Sequence, residues 1–387
     1  MKWLRAIKSR ITSYNGSMLW GTVSCSMMKV KMEHTMYNLK VIMCAALIFL
    51  VSSVSAQNSQ SIQLNTVNSG VTASLRGLCA ISDMVVWASG SSGIVIRTTD
   101  GGKTWQKISV TGAERLDFRD IEAFDTNTAY IVSIGSPARI YGTIDGGTTW
   151  VKQYESDNPS VFFNSLAFWN RQSGIAVSDP VDGDFFLIRT SDGGKTWERI
   201  PPDKIPDAVA GEANFAASGT CLITFGNSDT WFCTGGKAAR VFRSEDKGNT
   251  WTVAETPIIS GESSTGNFSI AFYDRLNGII VGGNYSKDKQ VKNNSALTAD
   301  GGKTWKLIPD AAGVKGFRSC VRYVPGTAGK TLLAAGTSGV DVSTDGGLTW
   351  TTVDTTGYHS ISFGKTSRIG WASGANGRIA RITITGR

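Results

Sequence analysis

Three arginines and one histidine occur in one recurring local context. Each follows a bulky apolar residue, and another apolar residue stands two positions later. The four segments are Leu75-Arg76-Gly77-Leu78, Phe118-Arg119-Asp120-Ile121, Phe317-Arg318-Ser319-Cys320 and Tyr358-His359-Ser360-Ile361. Guanidinium groups bind carboxylates through parallel N–H donors, so these side chains would form an anion-binding site if the fold brought them together. The alternative is that each arginine pairs with a nearby acid, such as Asp117 or Asp120, and only ties structural units together.

Carboxylates in long polar stretches suggest a second kind of site. Asp179 lies in SDPVDGD, at residues 178–184, and Glu212 lies in PPDKIPDAVAGEAN, at residues 201–214. A third polar stretch, GGNYSKDKQVKNNS, covers residues 282–295. Two carboxyl groups at a suitable separation act as general acid and base in glycoside hydrolysis, and His359 is a candidate base. One hypothesis is therefore a glycosidase-like site at Glu212, Asp179 and His359. The other is that these groups only complete a binding pocket or make structural hydrogen bonds.

Six copies of an octet, [ST]-x-D-x-G-x-T-W, carry the most regularly repeated acid in the chain. The first is TTDGGKTW at residues 98–105. The six aspartates are Asp100, Asp145, Asp192, Asp246, Asp300 and Asp345, at intervals of 45, 47, 54, 54 and 45 residues. Glycine supplies the positive φ of a tight hairpin, and Asp, Ser and Thr side chains hydrogen-bond to the backbone of such turns. We interpret the octets as structural turns; the alternative would require six equivalent catalytic sites.

The octet intervals predict the elements that position these residues. Such a period is typical of propeller blades, each a four-stranded sheet that buries its faces only against its neighbours. In the first unit, LRGLCAIS, MVVWASG, GIVIRTT and TWQKIS are four short β-rich runs, and the octet joins the third to the fourth. Six octet-bearing blades are predicted to begin near the following residues: Leu75, Phe118, Phe163, Glu212, Asn267 and Phe317.

A seventh blade, GYHSISFGKTSRIGWASGANGRIARITI, supplies three strands. Its fourth strand is expected from SIQLNTV, residues 61–67, which would close the ring and remove open sheet edges. The prediction is an all-β, seven-bladed propeller with four-stranded blades, forming one domain over residues 57–387.

The blade order brings the recurring basic context together. Blades six, seven, one and two are consecutive, so Arg318, His359, Arg76 and Arg119 are predicted to form a basic arc at one mouth of the central channel. Asn164 of blade three and Phe268 of blade five occupy the same slot. The arc should lie opposite the octets, on the face that carries the loops and the connections between blades.

Residues 1–56 are expected to be a leader. MYNLKVIMCAALIFLVSSVSA, at residues 36–56, has a lysine, an apolar run and small residues before Gln57, as secretory signal peptides do. We expect export to a periplasm or beyond, with no transmembrane anchor after cleavage. The chain of 387 residues has 39 basic and 31 acidic side chains; the leader holds seven of the basic and one of the acidic ones, which leaves a net charge of +2. That balance does not favour nucleic-acid binding.

Four cysteines follow the leader: Cys79, Cys221, Cys233 and Cys320. None lies at close ligand spacing to another, and His359 is the only histidine outside the leader, so a metal site is not expected. No cofactor is expected either, because no G-x-G-x-x-G follows a strand and opens a helix, and no haem or thiol-pair motif appears. Cys221 and Cys233 flank the turn GNSDT. They could form a disulfide in an oxidising compartment, the alternative being buried thiols. Glu122 and Arg322 fall within innermost strands, where we expect structural ion pairs.

The octet is similar to the Asp-box, or bacterial neuraminidase repeat, of sialidases, some glucanases and sortilin-type receptors. Copies at this spacing, with WASG at Trp87 and Trp371 before the third strand, resemble the photosystem II stability/assembly factor family over essentially the whole chain after the leader. The resemblance implies a binding or assembly role, because family members in chloroplasts and cyanobacteria bind reaction-centre polypeptides. This chain looks like the secreted, non-photosynthetic branch.

Sialidases differ from this pattern, because they have a six-bladed ring and an Arg-Ile-Pro motif before the first octet. The only Arg-Ile-Pro here is Arg199-Ile200-Pro201, after the third octet. The favoured hypothesis is a monomeric, non-enzymatic propeller that binds a protein or an anionic ligand on its loop-rich face. The alternative is a glycan-active hydrolase, glycosidase- or sialidase-like, on the same ring.

Overall fold

The computed structural model describes residues 61–386, so the predicted signal peptide lies outside the described residues. Within this range the chain forms seven antiparallel sheets, six with four strands and one with six. The predicted all-β, seven-bladed propeller is therefore confirmed. The helices of the described range are two 3-10 turns, Pro202–Lys204 and Tyr285–Lys287. Neither is long and apolar enough to cross a membrane.

The strands are numbered in chain order. The first group is β1 (Ser61–Val67), β2 (Leu75–Ala80), β3 (Val86–Gly90), β4 (Ile94–Thr98), β5 (Gln106–Ser109), β6 (Asp117–Ala123), β7 (Ala129–Ile134), β8 (Arg139–Thr143) and β9 (Val151–Glu155). The second group is β10 (Phe163–Phe168), β11 (Gly174–Val181), β12 (Asp184–Thr190), β13 (Glu198–Arg199), β14 (Glu212–Ala213), β15 (Leu222–Phe225), β16 (Asp229–Cys233), β17 (Gly235–Gly236), β18 (Arg240–Ser244) and β19 (Thr252–Glu255). The third group is β20 (Thr265–Phe272), β21 (Gly278–Asn284), β22 (Ser295–Thr298), β23 (Lys306–Leu307), β24 (Cys320–Tyr323), β25 (Leu332–Gly336), β26 (Gly339–Ser343), β27 (Thr351–Asp354), β28 (Ser360–Phe363), β29 (Ile369–Ser373) and β30 (Ile379–Thr385).

The ring closes between its first and last strands, as predicted. Strand β1 pairs antiparallel with β30 along its whole length, from Ser61 opposite Thr385 to Val67 opposite Ile379. The sheet order β1-β30-β29-β28 gives blade seven its fourth strand. Ile62 and Leu64 pack on the apolar core between blades six and seven. The closure therefore combines hydrogen bonding with burial.

Each octet forms the hairpin between the third and fourth strands of its blade. In the first, the Thr98 hydroxyl donates to Asp100 Oδ1 at 2.8 Å, and the Gly102 N–H donates to Thr98 Oγ1 at 2.9 Å. The Thr104 hydroxyl donates to Asp100 Oδ2 at 2.6 Å, and this bond helps to lower the pKa of Asp100 to about 2. The other five octets repeat these bonds. The six aspartates thus act as acceptors within their own turns.

The octets also join neighbouring blades. Gly102 of blade one has φ +83°, and a Cβ there would lie 2.3 Å from the Trp371 ring of blade seven. Trp231 of blade four donates its indole N–H to the carbonyl oxygen of Gly301, in the octet of blade five, at 2.9 Å. A larger residue in place of Gly102 would separate the two blades, so the glycine is needed for packing as well as for the turn.

Blade four departs from the prediction. Its innermost strand is β15, which begins at Leu222, whereas Glu212 lies in the two-residue strand β14. Strand β14 pairs with β17, and β17 pairs with β20, so both short strands extend the sheet of blade five. The predicted start of blade four near Glu212 is wrong, because the residues between β14 and β15 leave the blade and enter the central channel. We call residues 214–220 the channel segment.

The channel segment is hydrogen-bonded to all six other blades. The bonds are Arg76 Nη1 to Ala217 O (3.1 Å), Arg119 Nη1 to Ala216 O (3.2 Å), Ser165 Oγ to Gly219 O (3.0 Å), Thr220 Oγ1 to Ser269 Oγ (2.6 Å), Ser218 Oγ to Ser319 O (2.6 Å) and Ser360 Oγ to Ser218 O (3.2 Å). Because its hydrogen-bond partners belong to blades on every side of the ring, the segment lies across the central channel and closes it.

Two charged side chains occupy the innermost strands on the octet side of this closure. Arg322 donates from Nε to the Ile361 carbonyl at 3.3 Å. Within residues 61–386, neither Glu122 nor Arg322 has an oppositely charged group within 4.0 Å. The expected ion pairs are therefore absent as direct contacts within the described range, although the charge of Arg322 still favours the ionised form of Glu122. Burial, with the nearby Asp120 carboxylate, raises the pKa of Glu122 to about 8.

Removing strand β1 should weaken the ring. A chain that starts at residue 68 leaves the edge of β30 unpaired and uncovers the core between blades six and seven. We expect a lower melting temperature and concentration-dependent self-association, measured by calorimetry and light scattering. A chain that starts at residue 61 is the matched control. Equal melting temperatures for the two chains would contradict the closure role of β1.

Replacing Glu122 with Gln should stabilise the protein at alkaline pH. The folded-state pKa of about 8 exceeds the ordinary value of 4.5, so ionisation costs stability as pH rises between these two values. We expect Glu122→Gln to match the wild type at pH 4.5 and to be more stable by about 1–3 kcal/mol at pH 9. Denaturant unfolding at both pH values measures this, with the exposed Glu198→Gln as control. A pH-independent difference would contradict the argument.

Candidate functional site

A cavity of about 360 Å³ opens on the loop-rich face, with Ala216 and Ala217 of the channel segment in its lining. Six blades contribute the residue that occupies one slot at the start of the innermost strand: Arg76, Arg119, Asn164, Phe268, Ser319 and His359. Tyr285 and Thr337 also line the cavity, and they lie on the loops between the second and third strands of blades five and six. The site thus lies on the predicted face, opposite the octets.

Blades seven, one and two form the basic side of the cavity. Arg119 is paired with Asp117, Nε to Oδ2 at 2.9 Å, whereas Arg76 donates to the Ala217 carbonyl and has no carboxylate partner within residues 61–386. Burial and the charge of Arg119 lower the pKa of Arg76 to about 10. The Arg76 guanidinium therefore stays charged at neutral pH, and within residues 61–386 no carboxylate contacts it directly.

His359 lines the same side but carries no charge. Burial, followed by the charges of Arg76 and Arg119, lowers the pKa of His359 to about 3. Its Nε2 lies 3.2 Å from the Ser74 hydroxyl. A neutral imidazole leaves the positive charge of this wall to the two arginines.

Arg318 does not join the predicted arc. Its Nε and Nη2 each lie 2.8 Å from Asp341 Oδ2 inside blade six, and its side chain is only 1% exposed. The backbone register explains the difference. The Ser319 N–H donates to Ala335 O, and the His359 N–H donates to Ser373 O. The two acceptors are at equivalent positions, because each directly precedes the glycine of its own sequence, LAAG for Ala335 and WASG for Ser373. Blade six is therefore shifted by one residue, which places Ser319 in the slot and turns Arg318 away.

The structure separates the three candidate acid–base residues. Both carboxylate oxygens of Glu212 contact the Arg240 guanidinium, Oε1 also accepts from the Thr234 hydroxyl, and the Glu212 side chain is fully buried. Only His359 of the three lines the cavity, and no carboxylate of the described range does so. Glu212 is a structural ion-pair partner in this fold, not a free acid.

Asp179 lies behind the cavity wall. The stretch SDPVDGD is a strand hairpin rather than a loop, because β11 and β12 leave only Asp182 and Gly183 between them. Asp179 Oδ1 accepts from Asn164 Nδ2 at 3.0 Å and from the Asn214 N–H at 2.9 Å. Burial raises the pKa of Asp179 to about 6. Its carboxylate orients the two asparagines, which do line the cavity.

Aromatic rings form the side opposite the arginines. Phe215 stacks on Phe268 with ring centroids 3.8 Å apart, and Phe317 meets Phe268 edge-on at 4.7 Å. Tyr285 stands beside them, 6.0 Å from Phe268 and half exposed. Sequence reasoning identified the slot of Phe268 but not Phe215, Asn214 or Tyr285. The signal for Asn214 and Tyr285 was the length of the polar stretches at residues 201–214 and 282–295, and Phe215 directly follows the first stretch.

Cys221 and Cys233 lie opposite each other at the β15–β16 hairpin, where the Cys233 N–H donates to the Cys221 carbonyl at 2.8 Å. Both are free thiols in the structure, and burial raises the pKa of each. Over residues 61–386, no group of three His, Cys, Asp or Glu side chains is arranged to hold a metal ion.

Comparison with known proteins places this geometry among propellers of differing function. Residues 96–107 match the model of the BNR/Asp-box repeat. The xyloglucanase Xgh74A of Acetivibrio thermocellus is 28% identical over 251 residues, which cover 56% of this chain but only 29% of the enzyme. This chain therefore spans less than a third of that curated relative.

Solved structures share the fold at low identity. YCF48 bound to a D1 peptide superposes with a TM-score of 0.60 at 16% identity, covering 83% of this chain and 94% of YCF48. The GH74 xyloglucanase of Xanthomonas campestris gives 0.57 at 13% identity, covering 83% of this chain and 53% of the enzyme. This chain is a seven-bladed propeller built on BNR/Asp-box repeats, with both a binding factor and glycan hydrolases among its structural neighbours.

Proposed function

We propose that this protein is a secreted binding or assembly factor whose loop-face cavity holds a carboxylate-bearing segment of a partner protein. The observation that carries the proposal is that Arg76 and Arg119 line the same cavity. Within the described range the two arginines have a single carboxylate partner, Asp117, which contacts Arg119. A carboxylate ligand would supply the missing counter-charge through charge-assisted hydrogen bonds. Secretion rests on the signal-peptide pattern of residues 36–56.

Two further facts support a protein partner. YCF48, which shares the fold, has been solved with a D1 peptide bound. The cavity of about 360 Å³ is at the small end of ligand pockets and is partly apolar, so it suits one or two residues of a polypeptide. The rest of the partner would rest on the surrounding loops.

Glycan hydrolysis is the second candidate, because of the similarity to xyloglucanases. General acid–base hydrolysis needs two carboxyl groups that face the substrate. Glu212 is held by Arg240, and Asp179 is held behind Asn164 and Asn214. The binding proposal therefore rests on groups that line the cavity, whereas the hydrolase hypothesis rests on Glu212 and Asp179, which do not line it.

Removing the two cavity arginines should weaken carboxylate binding without unfolding the ring. The probe is a fluorescein-labelled glycine-serine decapeptide with a free C-terminus, compared with its C-terminal amide. We expect Arg76→Ala with Arg119→Ala to weaken binding of the free acid about 10–100-fold, the loss of one or two charge-assisted bonds. Fluorescence anisotropy measures this. The exposed Arg115→Ala is the control and should bind like the wild type; equal binding of acid and amide would contradict the proposal.

Substituting Glu212 should affect stability rather than turnover. Glu212→Gln leaves Arg240 as an uncompensated buried charge, so we expect a loss of about 3–5 kcal/mol in unfolding free energy. We expect no release of reducing sugar from xyloglucan by the wild type or by Asp179→Asn. Turnover by the wild type that both substitutions abolish in folded protein would establish the hydrolase instead.

A further inference from the structure

The closed floor of the cavity restricts how a polypeptide can enter it. The channel segment hydrogen-bonds to all six other blades, so a chain cannot thread through the ring. An entering polypeptide must place either a side chain or its end in the cavity. The volume of about 360 Å³ leaves little room for a chain that turns and leaves again.

The wall between the basic and aromatic sides contains two asparagines whose amide oxygens are buried. Asn164 and Asn214 are buried, and the Oδ1 atom of each has no hydrogen-bond partner. Their orientations are fixed, because Asn164 Nδ2 donates to Phe162 O and Asp179 Oδ1, and Asn214 Nδ2 donates to Cys233 O. Each Oδ1 therefore requires a donor, and a buried acceptor without one costs free energy.

Three chemically distinct walls thus surround one small volume. Arg76 and Arg119 suit a carboxylate, the two asparagine oxygens suit an N–H donor, and the stacked Phe215 and Phe268 suit a large apolar group. A carboxylate, an N–H and a side chain all branch from one Cα atom at the C-terminal residue of a polypeptide. An acidic side chain within a chain would offer the carboxylate without an apolar group beside it.

We propose that the cavity recognises the C-terminal residue of a partner polypeptide, selecting a large apolar, preferably aromatic, side chain. This inference rests on the proposed function and adds its specificity. The terminal carboxylate contacts Arg76 and Arg119, the terminal amide N–H approaches the asparagine pair, and the side chain packs on Phe268. Removal of such a side chain from water makes the free energy of binding more favourable.

Short peptides test this on the wild-type protein by calorimetry. Acetyl-Gly-Gly-Phe should bind about 10-fold or more tightly than acetyl-Gly-Gly-Gly. Its C-terminal amide should not bind, and methylation of the terminal amide nitrogen should weaken binding. Acetyl-Gly-Gly-Asp-amide, which offers only a side-chain carboxylate, should bind no better than the glycine peptide. Arg76→Ala should lower the affinity of every free acid and preserve the order.

The outcomes separate the two proposals. Equal affinity for the Phe and Gly free acids, both lost in Arg76→Ala, would overturn the specificity and leave the carboxylate-binding function intact. Tighter binding of the Asp amide would assign the site to internal acidic segments. Acetyl-Phe binding as tightly as the tripeptide would assign it to a small molecule rather than a polypeptide end. Failure of every free acid to bind would remove both proposals.

Discussion

The channel segment is the constraint on which the site depends. A polar backbone that crosses the centre of a ring must satisfy its carbonyl groups there, and Ala216, Ala217 and Gly219 do so with donors from blades two, one and three. Gly219 has φ +70°, and a Cβ at this position would lie 2.0 Å from Asp120 Oδ1. The segment therefore has one path across the channel, and that path converts an open pore into a closed cavity.

The same crossing makes a quasi-symmetric ring asymmetric. Six blades place a residue of the equivalent slot in the cavity, and these six residues are of five different types; the innermost strand of blade four instead begins at Leu222, after the channel segment. Arg76 and Arg119 donate to the segment and still present positive charge to the cavity. Phe215 of the segment completes the aromatic side by stacking on Phe268. The chemical character of the cavity thus depends on the slot residues, whereas the octets are alike and form the turns.

Much of this fold follows from local sequence. The octet carries its own hydrogen bonds through Thr98, Asp100 and Thr104, so its copies mark the hairpins, the blade count and the structural face without reference to distant residues. The closing strand at residues 61–67 follows from edge pairing. The three open slots at Arg76, Arg119 and His359 were also predictable, because their context matches the strand register.

The errors concern properties that only tertiary contacts determine. A one-residue shift in blade six is invisible in Phe317-Arg318-Ser319-Cys320, yet it moves Arg318 from the cavity to Asp341. A blade was predicted to start near Glu212, whereas hydrogen bonding to distant blades draws the residues that follow it, 214–220, into the channel. The charges of Glu122 and Arg322 were expected to pair, but within the described range neither has an oppositely charged group within 4.0 Å, and Arg322 Nε donates to the Ile361 carbonyl. Register and long-range pairing thus set the limit of sequence reasoning here.

The distribution of buried charge bears on function as well as on stability. Glu212 and Asp341 are buried acids that each have an arginine partner, and Asp120 accepts hydrogen bonds from Ser165 and Leu166 of blade three. Charge in the cavity itself is of the opposite kind: cationic, and only partly compensated by Asp117. A hydrolase concentrates carboxylates where the substrate sits, while this ring pairs Glu212 and Asp341 with arginines inside its sheets and leaves the Arg76 guanidinium in the cavity without a carboxylate contact in the described range. That arrangement is suited to holding a carboxylate rather than to donating a proton from one.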